Sequence, residues 1–439
     1  MTLLRSVVVL LVLAQAAAAQ MPLWPGFRGP HGDGVARAEK PPTSWSDDEN
    51  VAWKLDLPGA GASSPIVVGD RVLLTCYTGY GKYEDDGGEP GKLEHHLVCV
   101  DRTKGELMWK SSVPGALEKD ARQMQINEHG FATPTPVTDG EHVWVYFGHA
   151  GVCAFDLDGN KLWQEGLGKP TEGAPGPTNT VEREGQTLSL RWGSAASPLL
   201  HDGMVIVNAS EQSNSIRALD QETGELVWKR ESANLEGSAV SPMIAGSGEA
   251  QVVAIVLGGE VWGLDPKTGE LRWSVETGTR GGMAPSPISN GTHVFAFGGG
   301  DESFAIALAP DVTERVVWRG KNVDIPSPVL HDGKLLLVDQ KGMGTCLRAS
   351  DGKKLFGGRL KGRTGGVYAP PVWANDRLYV VSRERGVFVY AVGDDSFELV
   401  SRNELTEDDP QFHASPAVAG NALFLRSDAC LYCIAKSPS

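Results

Sequence analysis

Nine side chains of ligand-binding types stand in short polar segments between apolar stretches, at Glu128, His129, Arg191, Trp192, Glu236, Arg280, Arg363, Tyr368 and His413. Aromatic rings stack on planar ligands, and arginine binds a carboxylate through two parallel hydrogen bonds. The set therefore predicts a site for a planar, anionic ligand. An equally physical alternative is that these side chains bond to one another and fill a channel without a ligand. Neither their types nor their spacing specifies a catalytic residue.

A metal site is a second chemistry that the residue types could support, because His95 and His96 follow Glu94 in an insertion. Histidine and carboxylate side chains are common metal ligands. However, adjacent residues of an extended segment point to opposite sides, so the two histidines would not face one ion. We therefore expect a solvated hairpin extension here and no metal site.

The polar segments alternate with a repeated pattern that must position them. A small residue and a proline precede an apolar strand, a tight turn and a second strand. The pattern occurs eight times, beginning at Ser63, Pro134, Ala196, Val240, Pro285, Pro326, Ala369 and Ala414. Asp-Gly, Asn-Gly and Thr-Gly pairs supply the positive φ of tight hairpin turns, and alternating apolar residues are typical of half-buried strands. Each unit is thus predicted to be a four-stranded antiparallel sheet.

The two ends of the chain predict how these sheets assemble. A single four-stranded sheet cannot bury both faces, so the units must stack on one another. The eighth unit lacks its last strand, while residues 50–57, NVAWKLDL, resemble a strand without a partner. If this N-terminal strand completes the final sheet, the ring closes and no edge is left exposed. The sequence therefore predicts an all-β, eight-bladed β-propeller closed by its N-terminal strand.

Tryptophan recurs at the end of the predicted outermost strand of most units. A large indole can fill the gap between neighbouring blades while its N–H reaches a carbonyl. We assign this structural docking role to Trp53, Trp109, Trp163, Trp228, Trp273 and Trp318. Phe356 takes the place in the sixth unit and the seventh has no tryptophan there, so these two blades are expected to be the least regular.

Composition and the N-terminus restrict location and partners. The formal net charge of the 439-residue chain is −15, which disfavours nucleic acid as a partner. An apolar stretch behind Arg5 is too short for a transmembrane helix and is followed by small residues, as in a secretory signal peptide. The sequence predicts a signal peptide at 1–19, an N-terminal arm at 20–49 and a single propeller domain at 50–436. We expect a soluble, exported monomer, periplasmic or secreted, without an integral membrane segment.

Six cysteines in an exported chain of this length do not form a disulfide scaffold. Cys430 and Cys433 stand about 10 Å apart if their segment is a strand, which is beyond disulfide reach. Cys76 and Cys99 flank an insertion on neighbouring strands and are the best candidates for a disulfide. Buried free thiols are the alternative, and the sequence leaves both open.

The repeat, with its terminal tryptophan, resembles the pyrroloquinoline-quinone (PQQ) type propellers, which include quinoprotein alcohol dehydrogenases and BamB-type proteins. The segments WPGFRGPHGDG, EHGFATPTPVTDG and WGSAASPLLHDG are most similar to a group of exported bacterial BamB-like propellers. This resemblance implies a non-catalytic binding or scaffold role without a cofactor. Its partners would be proteins held through the propeller loops, in the cell envelope or in outer-membrane protein assembly.

The same resemblance allows an enzymatic alternative, a PQQ- and calcium-dependent dehydrogenase that oxidises alcohols or sugars. Such an enzyme needs a cation and a carboxylate base beside the cofactor, because removing hydrogen from an alcohol requires polarisation and a base. Glu128 or Glu236 could serve as the base. The chain has no adjacent cysteine pair of the kind that commonly lies over the cofactor in these enzymes.

Overall fold

The alternation of apolar and polar residues folds into short antiparallel strands over the whole repeat region. A computed structural model of the chain describes residues 24–81, 87–117, 129–168, 180–183, 186–189, 193–235, 237–277, 284–297, 302–321, 325–406 and 411–436. Within these residues there are eight four-stranded sheets and one separate two-stranded hairpin. In each four-stranded sheet, here called a blade, neighbouring strands pair antiparallel from the inner to the outer strand.

The first four blades follow one another along the chain. Blade 1 contains β2 (Ile66–Val68), β3 (Arg71–Thr78), β4 (Glu94–Asp101) and β5 (Leu107–Pro114). Blade 2 contains β6 (Val137–Thr138), β7 (His142–Tyr146), β8 (Val152–Asp156) and β9 (Lys161–Glu165). The hairpin β10 (Thr180–Arg183) and β11 (Gln186–Ser189) precedes blade 3, which contains β12 (Leu199–His201), β13 (Met204–Ala209), β14 (Ser215–Asp220) and β15 (Leu226–Glu231). Blade 4 contains β16 (Met243–Ala245), β17 (Val252–Leu257), β18 (Glu260–Leu264) and β19 (Leu271–Glu276).

The remaining blades keep the same order and complete the ring. Blade 5 contains β20 (Ile288–Ser289), β21 (His293–Phe297), β22 (Glu302–Ala307) and β23 (Val316–Lys321). Blade 6 contains β24 (Val329–His331), β25 (Lys334–Val338), β26 (Met343–Arg348) and β27 (Lys354–Arg359). Blade 7 contains β28 (Val372–Ala374), β29 (Arg377–Ser382), β30 (Gly386–Val392) and β31 (Phe397–Asn403). Blade 8 contains β32 (Ala417–Ala419), β33 (Ala422–Arg426), β34 (Cys430–Ile434) and β1 (Val51–Asp56).

Helical structure among the described residues is limited to single turns in the connections. These are α1 (Ser210–Ser213) and the 3-10 turns Pro90–Lys92, Gly148–Ala150, Ala233–Leu235 and Gly248–Ala250. The architecture is therefore all-β, as the sequence predicted.

Ring closure takes place in blade 8, where the N-terminal β1 is the outermost strand. β1 pairs antiparallel with β34, and Trp53 lies opposite Cys433. A second contact spans the seam between blades 8 and 1: Arg426 Nη1 donates to the carbonyl oxygen of Ser63 at 3.1 Å and to its hydroxyl at 2.6 Å. The predicted eight-bladed propeller and its closure by the N-terminal strand are both confirmed.

The recurrent tryptophans lie between blades, against the tight turns of the next blade. The indole Nε1 donates to a turn carbonyl in five cases, from Trp53 to Arg102, Trp109 to Leu157, Trp163 to Gln221, Trp228 to Pro266 and Trp318 to Ala349. The turn glycine lies so close to the ring that a side chain would not fit; a Cβ on Gly269 would come within 2.4 Å of Trp228. Trp273 differs, because its Nε1 has no acceptor among the described residues and Arg315 lies 5.5 Å from its ring centroid.

A second set of inter-blade bonds involves the small residue before each repeat proline. The backbone N–H of this residue donates to the side-chain hydroxyl of its counterpart in the next blade, and we call each such bond a hydroxyl rung. Five rungs connect blades 1 to 6: Ser64 to Thr135, Thr135 to Ser197, Ser197 to Ser241, Ser241 to Ser286, and Ser286 to Ser327. Blade 7 carries Pro370 at this position, which has neither a hydroxyl nor an N–H.

All six cysteines lie among the described residues and are buried free thiols. Cys76 lies opposite His96 in the β3–β4 ladder, whereas Cys99 lies opposite Leu73. The two cysteines are therefore three register positions apart and on opposite faces of the blade, since side chains alternate along a strand. Cys76 packs in the core shared with blade 8, and Cys99 in the core shared with blade 2. The candidate disulfide between them does not form, and the alternative of buried free thiols is the one that the structure shows.

Candidate functional site

The two ends of the central channel differ. At one end, here called the loop face, the outer strand of each blade connects to the inner strand of the next. The opposite end, the turn face, carries the hairpin turns that follow the inner strands. An arm of residues 24–49 precedes β1, and its first part lies on the turn face: Trp24 pairs with Val67 of blade 1, and Val35 pairs with Trp373 of blade 7.

This arm crosses the channel. Near its start, the Pro25 carbonyl accepts a hydrogen bond of 2.9 Å from the Thr138 N–H of blade 2, and a few residues later Arg28 Nη2 donates to the Pro328 carbonyl of blade 6. Blades 2 and 6 stand on opposite sides of an eight-bladed ring. Residues between Gly26 and Gly34 therefore cover the turn-face mouth, and the loop face is the side on which we place a functional site.

Arg28 lies in the part of the arm that crosses the channel, and it is only 2% exposed. Its Nη2 also donates to the Asp33 carbonyl at 3.3 Å, while Nε and Nη1 have no partner among the described residues. Burial lowers the pKa of Arg28 to about 10, and the charge of Asp33 opposes this shift. The guanidinium therefore stays protonated at neutral pH and fixes the arm to blade 6.

The predicted channel-mouth residues divide into two groups. Glu128, Arg191, Trp192, Glu236 and Arg280 lie outside the described residues. The other four are His129, Arg363, Tyr368 and His413, which lie in loop-face connections. Their ligand-binding role stays a prediction.

Two of the four described residues belong to one loop cluster beside blade 7. Tyr368 lies under the guanidinium of Arg383, whose Cζ is 4.5 Å from the ring centroid. The Arg383 backbone links neighbouring loops, donating to the Gly366 carbonyl and accepting from the Phe412 N–H, both at 2.9 Å. Arg363 in the same connection is exposed. His129 is elsewhere, with its Nδ1 2.5 Å from the Thr133 hydroxyl.

Sequence reasoning missed the basic residues of the turn between β29 and β30. Arg383 and Arg385 lie there and approach Gly366 and Gly365 of the blade 6 to blade 7 connection, which also carries Lys361 and Arg363. We call these four residues the basic patch of blade 7. Glu384 is the one acidic residue in the two sequence segments that carry the patch, residues 361–371 and 382–386. The short run SRERG between two apolar strands was the available indication, and it marks a cationic surface on a chain whose net charge is −15.

A second loop-face cluster lies between blades 1, 2 and 3. A cavity of about 20 Å³ is lined by His95, Phe131, Phe147, His149 and Ser194, among others. His95 and His96 belong to β4 and are 4% and 0% exposed, so the solvated hairpin extension expected for them is wrong. Ser194 Oγ donates to the Tyr146 hydroxyl at 3.2 Å and accepts from Gln212 Nε2 at 2.7 Å, which fixes one wall of the cavity.

No three His, Cys, Asp or Glu side chains come together at one point among the described residues. No described helix is long and apolar enough to cross a membrane.

The chain is similar in sequence to a known protein family. The model of the outer membrane protein assembly factor BamB family matches residues 94–355 and 301–396, which together cover more than half of the chain. The chain belongs to this family. Among curated proteins, a polyvinylalcohol dehydrogenase from Pseudomonas sp. is 25% identical over 209 residues, 40% of this chain. The match spans only 32% of that enzyme's length.

Two solved structures have the same fold as this BamB-family chain. BamB from Moraxella catarrhalis superposes with a TM-score of 0.58 at 15% identity, covering 87% of this chain and 98% of its own. The quinohemoprotein alcohol dehydrogenase from Comamonas testosteroni superposes with a TM-score of 0.61 at 11% identity, covering 97% and 82%. At these identities the likeness concerns the propeller, which hosts both binding and catalytic proteins.

Proposed function

We propose that this BamB-family chain is an exported, non-catalytic propeller that binds a protein partner through its loop face, in the assembly of the cell envelope or the outer membrane. Family membership supports the general role. The observation that carries the proposal is the asymmetry of the ring. Its own arm covers the turn face, whereas the loop face presents the basic patch of blade 7.

The partner surface that fits this patch is an acidic protein segment. Lys361, Arg363 and Arg385 are exposed, and arginine forms bidentate bonds with carboxylates. The chain as a whole is acidic, with a net charge of −15, so an acidic segment is attracted by the patch and repelled by the average charge of the chain. Charge alone therefore orients the partner toward the loops of blade 7.

Photo-cross-linking in cells tests this surface. A photoreactive residue at Arg385 on the loop face is compared with one at Asp376, an exposed position on the turn face of the same blade. We expect a discrete protein adduct from position 385 and none from 376. The double reversal Arg363→Glu with Lys361→Glu should reduce the 385 adduct at least about tenfold, since repulsive pairs cost several kcal/mol. Equal adducts from both faces, or an adduct insensitive to charge reversal, would contradict the proposal.

A second candidate function, PQQ-dependent oxidation of an alcohol, is favoured by the match to the polyvinylalcohol dehydrogenase. Both carboxylates considered as its base, Glu128 and Glu236, lie outside the described residues. The test is a titration of the purified chain with PQQ and calcium, followed by thermal unfolding and dye reduction with a panel of alcohols. A rise in melting temperature together with turnover would establish the enzyme, since a ligand of the folded state stabilises it. Absence of both would exclude it.

A further inference from the structure

The imidazole of His95 is held in one orientation at the loop face. It lies in β4 and stacks on Phe147 of blade 2, with ring centroids 4.9 Å apart and planes 21° apart. The carbonyl of Phe131 accepts a hydrogen bond from the ring, and Nδ1 has no partner among the described residues, so the donor is Nε2–H. The proton therefore resides on Nε2, and Nδ1 carries a free lone pair.

That lone pair belongs to a buried side chain, because His95 is only 4% exposed. A buried acceptor without a partner costs about 1–3 kcal/mol. His95 lines the small cavity described above, so Nδ1 has a space in which a partner can sit.

The cavity restricts the kind of partner. Its volume of about 20 Å³ admits one ion or one water molecule and no organic ligand. His149 lines the same cavity, so histidines of blades 1 and 2 both contribute to its wall. An imidazole whose second nitrogen donates to a backbone carbonyl is the usual state of a metal-ligating histidine. Imidazole ligands suit zinc, copper and nickel rather than calcium or magnesium.

We propose that His95 Nδ1 and His149 bind a single copper, zinc or nickel ion in the loop-face cavity between blades 1, 2 and 3. Two histidine nitrogens are the ligands that the cavity supplies to the ion, and the Ser194 hydroxyl lines the same cavity. The Phe131 carbonyl fixes the His95 tautomer as the outer-shell partner. The ion would tie the loops of blade 1 and blade 2 together.

The chain offers matched variants for a test. His149 is half-buried in the Gly148–Ala150 turn, so His149→Ala removes one ligand without disturbing a strand. His96→Gln is the control: it is the adjacent buried histidine, but its two nitrogens already contact the Thr78 and Ser112 hydroxyls, both at 2.8 Å. His95→Gln removes the other ligand.

Chelator-treated, tag-free protein is titrated with copper(II), nickel(II), zinc(II) and, as a hard-cation control, calcium. Calorimetry gives affinities, and electron paramagnetic resonance of the copper(II) complex gives the number of nitrogen ligands. We expect one site per chain with two nitrogens, no response to calcium, and unchanged binding in His96→Gln. His149→Ala and His95→Gln should each weaken affinity by at least about 100-fold, because even outer-shell losses cost 10- to 100-fold.

Any of three results would overturn the site. One is wild-type protein without stoichiometric binding of any of the three metals, which would leave a single water molecule as the partner of Nδ1. Another is binding that His149→Ala leaves unchanged in a variant with a wild-type circular dichroism spectrum. Metal-dependent protection of the 129–150 loops from hydrogen exchange is an independent readout, and its absence with bound metal would place the ion elsewhere.

Discussion

Blades 1 to 6 and blade 7 are attached to the ring by different means. Within blades 1 to 6, residues of the repeat supply the inter-blade bonds: five hydroxyl rungs and four bonded tryptophans. Blade 7 has Pro370 at the rung position, and Phe356 of blade 6 contacts Phe397 where a tryptophan would dock. Blades 6 and 7 are nevertheless complete four-stranded sheets. The irregularity expected for them from the sequence therefore lies between the blades and not within them.

The N-terminal arm compensates at blade 7. Its Val35 pairs with Trp373, its Trp45 N–H donates to Asn403 Oδ1 at 3.0 Å, and the Pro42 carbonyl accepts from the Tyr379 hydroxyl at 3.2 Å. A blade that has lost the repeat's own contacts is thus held by a segment remote in sequence. The basic patch that we assign to partner binding lies on this same blade.

The largest effect should come from removing the closing strand. Deleting residues 50–57 takes away β1, leaves the edge of β34 unpaired and releases the arm that precedes it. An exposed strand edge pairs with other chains, so the protein should aggregate. Size-exclusion chromatography and thermal unfolding measure the outcome, with Trp53→Phe as a control that keeps the strand and should stay monomeric. A monomeric deletion variant of unchanged melting temperature would disprove closure.

Next in size are two tryptophan truncations that separate the two modes of attachment. Trp228 docks blade 3 on blade 4 and is 6% exposed; Trp45 of the arm is 3% exposed against blade 7. Each change to alanine should cost about 3–5 kcal/mol through the cavity that it leaves. Hydrogen exchange should show opening at blades 3 and 4 for Trp228→Ala and at blade 7 for Trp45→Ala. The same exchange pattern in both variants would contradict separate attachment.

Most of the fold could be predicted because its cause recurs along the sequence. The turn glycines, the alternating apolar residues and the terminal tryptophans each return at nearly constant spacing, and the missing last strand indicated β1 as its replacement. The rungs were not predicted, because the donor is a backbone N–H and the pattern shows only a small residue before proline. The choice between a Cys76–Cys99 disulfide and buried free thiols stayed open in the sequence, since adjacency of strands does not specify register.

The site was less accessible to sequence reasoning because distant residues create it. Arg28 reaches Pro328 across 300 residues, and Arg426 reaches Ser63 across 363. The two histidines of the small cavity belong to different blades, so only the closed ring brings His95 to His149. The adjacent His96, which the sequence pairs with His95, faces the Thr78 and Ser112 hydroxyls instead.

Low pH should determine which region opens first, blade 1 or blade 7. Burial lowers the pKa of His95 to about 3 and that of His96 to about 4, the charge of Lys110 adding to the shift of His96. Below about pH 6.5 the unfolded chain therefore binds two more protons than the folded one, and the free energy of unfolding falls by roughly 2–3 kcal/mol per pH unit. The loss continues until the folded state also protonates, near pH 3–4.

Both histidines lie in β4, so blade 1 should open before blade 7 at pH 5 although its contacts follow the repeat. Urea unfolding at pH 7.5, 6.5, 5.5 and 5.0 measures the slope, and hydrogen exchange locates the opening. The variant His95→Gln with His96→Gln should flatten the profile below pH 6.5. An equally steep profile in that variant would assign the acid sensitivity to other groups.

Removing one hydroxyl rung should lower the stability of the protein by a smaller amount. Ser241 accepts the Ser197 N–H at 2.8 Å and is buried, so Ser241→Ala leaves that N–H without an acceptor. The expected cost is about 1–3 kcal/mol. Pro370→Ala removes no rung and should change stability by less than about 1 kcal/mol, chiefly through the flexibility of the unfolded chain. Chemical denaturation of both variants checks this, and equal costs would mean that the rungs do not join the blades.

The smallest effect isolates a single hydrogen bond within the regular region. Trp228 donates to the Pro266 carbonyl at 3.0 Å, whereas the N–H of Trp273 has no acceptor among the described residues. Phenylalanine removes the N–H from either position together with part of the ring. The loss of packing is therefore common to Trp228→Phe and Trp273→Phe, and only the first also breaks a bond. Trp228→Phe should be the more destabilising by about 1 kcal/mol, measured by chemical denaturation. If Trp273→Phe cost as much, the turn carbonyls would contribute nothing to docking, and the indole would act by shape alone at every seam.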